Sequence, residues 1–385
     1  MYQGHKILDC HIHYSLPIEP EELIGVMDRS GTDMANLVLV PHRQRLSSVP
    51  DALMAKHMYP QRLYVFNSLD TSAYFKSPKT VGKQMAAYCR SLLRCGCDGV
   101  KIIEGKPQMR KMLPVPDFDQ PCWEPFFAWA EEDQVPILWH VNDPEEFWDE
   151  EKIPGWAKER GWAYDESYIN NEVQYTQVLN VLKKHPKLKI IFAHVFFMSA
   201  QLPRLAEILD SYPNVMIDLT PGIEMYINFS ANVEASREFF LRFQDRIIYG
   251  TDIGARAVIS ESGVDTSGGG SSRIDMDESL CRCHIVQDFL SGGKNYVVKA
   301  DGNFLVGTED FTLTGLELPE EIQEKIYSGN FLRFVGGSPR PIIPRLARKE
   351  CRRVKLSIRI MSIFDKSIRP DFTCVNRVMQ YFKKK

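Results

Sequence analysis

The chain reads as a (β/α)8 TIM barrel of the α/β class. Two observations predict it. Eight short apolar, β-branched runs alternate along the chain with amphipathic helical stretches. The ends of four of those runs carry the histidines and the aspartate that metal-dependent chemistry uses. An open doubly wound sheet is the structural alternative, but no Gly-x-Gly-x-x-Gly follows a strand.

The predicted strands are 7–13, 35–41, 63–69, 99–104, 135–141, 188–194, 214–219 and 246–252, each bounded by turn residues. Between them, Pro20, Glu21 and Glu22 suit a helix start. Val81, Met85, Tyr88 and Leu92 share a helical face that Cys95-Gly96 ends. Trp123, Phe126, Phe127 and Ala130 form the next face. Val178, Leu179 and Leu182 follow, stopped by His185-Pro186. Leu202, Leu205, Ile208 and Leu209 follow again, stopped by Tyr212-Pro213, and a phenylalanine-rich helix covers 235–243.

Three segments exceed a minimal barrel. The long loop 142–171 after the fifth strand holds Trp148, Trp156, Trp162, Tyr164 and Tyr168. It reads either as a substrate lid or as a subdomain packed on itself. The loop 254–278 after the eighth strand has the run 268–272, Gly-Gly-Gly-Ser-Ser, and is expected to be mobile; it lacks a phosphate-loop pattern. The segment 338–385 carries 14 Lys or Arg against 3 Asp or Glu, a net of +11, which leaves −14 on the rest of a chain whose total is −3. It is expected to be a basic C-terminal extension, docked on the acidic body of the 1–337 barrel or on a neighbouring subunit.

At 385 residues, 44% apolar and 25% charged, the composition is that of an ordinary globular protein with room for a large core. The near-neutral charge argues against a dedicated nucleic-acid binder. No apolar run reaches membrane-spanning length, and the N-terminus runs straight into the first strand without a signal peptide. Nine irregularly spaced cysteines fit reduced thiols in the cytoplasm better than a disulfide framework. A small-molecule substrate is the expected partner, with no nucleic acid and no membrane, and a homodimer is compatible with the composition.

The chemistry-bearing residues sit at strand ends. The first strand supplies His11 and His13, and simple alternation puts Asp9 on their face and Cys10 toward the helical shell. The fifth ends in His140, the sixth in His194 and the eighth in Asp252. The carboxyl ends of barrel strands converge on one face, so residues far apart in sequence can meet there. Lone strand-end histidines are usually structural; three such strands together with Asp252 point to one divalent metal site. Lys101 sits only two residues into its strand, which reads as too deep for a bridging ligand. It is expected to line the pocket floor or to pair with Asp9. Glu104, Lys106 and Arg110 lie at or beyond that strand end, where a cation could hold a substrate carboxylate, with Arg110 expected to be solvated. His42 and Arg43 suit either the mouth or the surface. Glu224 and Tyr226 fall on the face suited to substrate contact. His5, His57 and His185 read as structural or solvent-facing. Cys281, Cys283 and His284 lack the paired spacing of a zinc site.

Taken in order, Asp9-Cys-His-Ile-His13, Gly99-Val-Lys-Ile, Val135-Pro-Ile-Leu-Trp-His140, Phe192-Ala-His194, Tyr249-Gly-Thr-Asp252 and the late helix from Lys325 to Val335 resemble the amidohydrolase superfamily. The resemblance is to its amidohydrolase 2 branch, which includes aminocarboxymuconate-semialdehyde decarboxylase-like proteins. It implies a distorted barrel with one divalent metal, zinc first and manganese second. It implies His11, His13 and His140 as ligands and Asp252 as a ligand or close partner of the metal-bound water, with His194 activating that water. The expected activity is hydrolysis of an ester, lactone or amide by metal-activated water. Non-oxidative decarboxylation is the alternative, and a non-catalytic metal-binding barrel the third.

Overall fold

A computed structural model of the chain describes residues 4–14, 18–41, 47–159, 161–255, 258–260, 263–265, 274–299, 310–364 and 370–385. His42, Arg43 and the run 268–272 lie outside the described residues, as does the Trp156 side chain.

Eight strands form the barrel: β1 (Ile7–Tyr14), β2 (Thr32–Val38), β3 (Leu63–Ser68), β4 (Gly99–Gly105), β5 (Ile137–Val141), β6 (Ile190–Phe192), β7 (Val215–Asp218) and β8 (Ile247–Ile248). Each pairs in parallel with the next. Backbone bonds close the ring between its two ends: Cys10 N–H to Tyr249 O (3.0 Å), Asp252 N–H to His11 O (3.0 Å) and His13 N–H to Ile253 O (2.8 Å). The pair Gly254–Ala255 then continues beside β1.

β6 and β8 are shorter than the apolar pattern predicts. Beyond Phe192 the chain turns left-handed, with φ of 55°, 55°, 59° and 53° from His194 to Phe197, and Asp252 has φ 59°. Side-chained residues rarely adopt this conformation. It ends regular pairing at the strand-end histidine and aspartate.

The strands are buried on both faces, which explains their continuous apolar runs. Leu8, Cys10, Val38, Tyr64, Phe66, Leu138, Ile191, Met216 and Ile248 fill the barrel interior. Phe331, from the helix Asn330–Val335, packs edge-on against Tyr64 with ring centres 5.1 Å apart. The outward side chains, such as Val65, Val100, Trp139 and Ile217, pack under the helices.

Alternation fails in β1. Its register against β2 shifts between Asp9 and Ile12. Such a bulge reverses the parity of the strand. Leu8 and Cys10 face the interior, so Cys10 does not point to the helical shell; past the shift His11 faces inward as well, whereas Ile12 joins the outer core. Asp9 does not share the histidines' surroundings; it accepts hydrogen bonds from Thr251 N–H (3.2 Å) and from the Thr251 hydroxyl.

The C-terminal segment forms the helices Pro344–Phe364 and Thr373–Lys383. They pack on each other and on the helix Val49–Met58, and Ala347, Cys351, Val354, Ile358, Val375, Val378 and Phe382 join the main core. Basic residues meet acidic ones of the barrel, with Arg377 on Glu19 and Arg353 3.3 Å from Asp70.

Candidate metal centre

Closing the barrel sets the site. The Asp252 amide on the His11 carbonyl brings the Asp252 carboxylate across to β1. Asp252 Oδ1 lies 2.9 Å from His13 Nε2 and 3.8 Å from His11 Nε2. These residues offer ligand atoms all within 4.8 Å of one another. Two imidazole nitrogens and a carboxylate oxygen so placed are the donor set of a divalent transition metal. Gly250 leaves the necessary room: a Cβ there would come 2.9 Å from Thr220 Oγ1 and 3.3 Å from His11 Cβ.

The tautomer of His11 is fixed from behind. Its Nδ1 faces Asp218 Oδ2 at 2.9 Å and Thr220 Oγ1 at 3.1 Å. A carboxylate there holds the proton on Nδ1 and leaves the Nε2 lone pair turned to the trio. Burial, and then the Lys101 charge, hold His11 well below the ordinary histidine range, so it is neutral. The neutral ring is the ligating form.

Lys101 runs along the barrel interior, and its Nζ lies 3.1 Å from His11 Nε2. It does not pair with Asp9, whose oxygens are taken by Thr251 and by the His11 amide (3.0 Å). Burial lowers its ammonium to about 8. The depth of its Cα in the strand is made up by the length of the side chain.

His140 and His194 stand further along the wall. The His194 ring centre is 5.6 Å from that of His11 and 5.0 Å from that of His140. His194 Nδ1 donates to Thr220 O (3.0 Å), which leaves Nε2 as an acceptor, and its backbone N–H donates to Asp218 Oδ1 (2.8 Å). Burial holds both His140 and His194 at about 4. His140 Nε2 lies 3.4 Å from Asp143 Oδ1 and outside the close trio.

Asp143 ties the loop after β5 to this wall. It accepts from Lys106 Nζ (2.6 Å) and from the Tyr164 hydroxyl (2.5 Å). Burial alone would raise it; Lys106 and His140 overcome that and lower it to about 2. Lys106 also lies 4.4 Å over the Trp162 ring. The loop's aromatics pack as one cluster of Phe147, Trp148, Trp162, Tyr164 and Tyr168. The segment is thus a small packed unit whose Tyr164 reaches the site wall.

Other expectations change. Arg110 is not solvated: its side chain is 6% exposed, bonded to Asp117 and 5.0 Å over Phe118. Tyr226 is core, with its hydroxyl on Leu219 O (2.6 Å), rather than a substrate contact. Glu224 is pushed by burial up to about 8 and feels the charges of Glu146 and Asp143.

Sequence reasoning missed Asp218, Thr220, Asp143 and Arg282. Asp218 ends β7 two residues after the inward Met216, the same signal that found His140. Arg282 could not be found that way. It comes from the helix Met276–Ser291, is held by Glu278 Oε1 (2.9 Å), and reaches Asp252 Oδ2 at 3.4 Å.

The amidohydrolase family model matches residues 8–337. A TIM-barrel protein from Bordetella bronchiseptica superposes with a TM-score of 0.51 at 13% identity, over 86% of this chain and 98% of its own. An amidohydrolase homologue from Staphylococcus aureus gives 0.51 at 15% identity, over 86% and 99%. The 2,6-dihydroxybenzoate decarboxylase from Rhizobium gives 0.50 at 12% identity, over 86% and 98%. At these identities the likeness is one of fold. A search of curated proteins gave no match.

Proposed function

The chain belongs to the amidohydrolase family, and from that premise we propose that it is a metal-dependent hydrolase acting on an ester, lactone or amide of a small carboxylated or aromatic substrate. The observation that carries this reading is the convergence of His11 Nε2, His13 Nε2 and Asp252 Oδ1. His11, His13 and Asp252 hold the metal, and His140 is assigned as the ligand from the facing wall. Zinc is the first choice for such nitrogen and carboxylate donors, and manganese the second. A bound divalent ion supplies Lewis acidity and lowers the pKa of a water to about 7.

The chain's own groups then divide the work. Asp252 accepts a proton from the reacting water and returns it to the leaving group. Arg282, 3.4 Å from Oδ2, orients that carboxylate. His194, with Nε2 free to accept, orients the water. Lys101 Nζ lies 3.1 Å from His11 Nε2 and would have to yield that nitrogen to a metal, which would leave its ammonium available to a substrate carboxylate. The same cation favours the second reading, non-oxidative decarboxylation, because it would seat the departing carboxylate. None of the nine cysteines is in a disulfide, so the proposed setting is the reducing cytoplasm.

The test is product analysis with metal-loaded protein in heavy-oxygen water. Hydrolysis places the label in the product acid. Carbon dioxide release with an unlabelled organic product would replace this reading with decarboxylation. His140→Ala should lower metal content; full occupancy in that variant would remove His140 from the ligand set.

A further inference from the structure

The expectation of no membrane contact rests on the absence of a spanning segment, and among the described residues no helix is long and apolar enough to cross a membrane. A helix lying on a surface needs no such length. The helix Pro344–Phe364 buries Ala347, Cys351, Val354 and Ile358 against the barrel. Its outward face is of a different kind. Arg345, Lys349, Arg352 and Arg359 are exposed, and with them Leu356, Ile360, Ile363 and Phe364, all at spacings of three or four residues. The four apolar side chains are 58%, 44%, 65% and 81% exposed. They form a ridge at the C-terminal end of the helix, with the cations leading into it. Scattered exposed apolar residues are ordinary; four aligned on one helical face are not.

We propose that this face docks the protein onto an anionic lipid bilayer surface, with Leu356, Ile360, Ile363 and Phe364 entering the headgroup boundary and the arginines and Lys349 on acidic headgroups. Charge complementarity selects this occupant. The exposed face carries Arg345, Lys349, Arg352 and Arg359, in a segment 338–385 that has only 3 anions. Of those three, Glu350 is buried and bound to Arg353. A second copy meeting it with the same face would bring like charge against like charge. An acidic protein would match the cations but leaves the apolar ridge without a reason. A bilayer offers both phases at once, and the cytoplasmic leaflet is the anionic one.

The experiment uses the full chain, sedimented with vesicles of phosphatidylcholine alone or phosphatidylcholine with phosphatidylserine, alongside mass measurement by light scattering without vesicles. Binding is expected to the anionic vesicles only and to weaken as salt rises. Arg352→Ala should weaken it about fivefold, and Ile363→Glu with Phe364→Glu at least about tenfold. These side chains are exposed, so circular dichroism should match the parent. No binding, equal binding to both vesicles, or binding unchanged in the variants would overturn the proposal. So would a dimer in solution that Ile363→Glu with Phe364→Glu dissolves, since the face would then belong to a second copy.

Discussion

His11 is held at both ring nitrogens, by Asp218 and Thr220 at Nδ1 and by Lys101 at Nε2. Removing the carboxylate behind a ligand loosens both tautomer and orientation, so Asp218→Asn should weaken metal affinity about 10- to 100-fold, read by competition with a chelating dye. His11→Ala and His13→Ala should lose the metal outright, measured by elemental analysis after dialysis. Asp252→Asn should keep the fold and lose turnover by about 100- to 10,000-fold; a fully active Asp252→Asn would refute its part as proton carrier. Asp9 carries a pH prediction. Burial pushes its carboxyl from 3.8 to about 7, so the folded state keeps a proton that the unfolded chain has lost. Its contribution to stability is complete below pH 3.8 and disappears as pH rises to about 7. Asp9→Asn cannot titrate. Its stability should therefore gain on that of the parent by about 2–4 kcal/mol between pH 4 and pH 7, seen in paired urea melts. These residues were unequally legible. His140 and Asp252 announce themselves as polar residues closing apolar runs. Asp218 carries the same signal more faintly, as an acid among many, and Arg282 lies on a helix whose approach only the folded backbone decides.

The strands were legible because parallel strands buried on both faces appear as unbroken apolar runs. The bulge in β1 was not, because a run of mostly apolar residues does not reveal where its parity reverses. Without that reversal Cys10 and His11 could not both face inward, and simple alternation puts Asp9 with the histidines where the structure puts it on Thr251. The left-handed turn after β6 was equally hidden: Ala-His-Val-Phe-Phe has the composition of a strand, yet His194 to Phe197 leave it. The loop after β5 shows what its aromatics are for. Tyr164 is the member that touches Asp143, while Phe147, Trp148 and Trp162 hold it in place. Tyr164→Phe removes a hydrogen bond to a buried carboxylate and should cost about 1.5–3 kcal/mol. If the segment also covers substrate, KM should rise more than kcat falls; both follow from melts and steady-state kinetics.

At the scale of the molecule, the helix Val49–Met58 is buried along nearly all its length. A helix buried on every side, here with Asp51 and Lys56 among its buried residues, needs cover on every side. The barrel provides one side and the C-terminal helices the other. Phe382, 1% exposed, packs edge-on to His57 with ring centres 5.3 Å apart. Phe382→Ala should destabilise the whole barrel by about 3–5 kcal/mol, measured as a shift in the urea midpoint.

The seam between β1 and β8 has a consequence for the order of events in synthesis. The Asp9–Thr251 contact joins residues 242 apart in sequence, and His11, His13 and Asp252 flank the same seam. Such distant partners meet late, because the closure of a long loop precedes any contact that rewards it. A chain still emerging from the ribosome carries His11 and His13 for most of its synthesis with no Asp252 to complete the set. The trio of His11, His13 and Asp252 is therefore completed only once the eighth strand is in place, and a chain stalled before it lacks the third member.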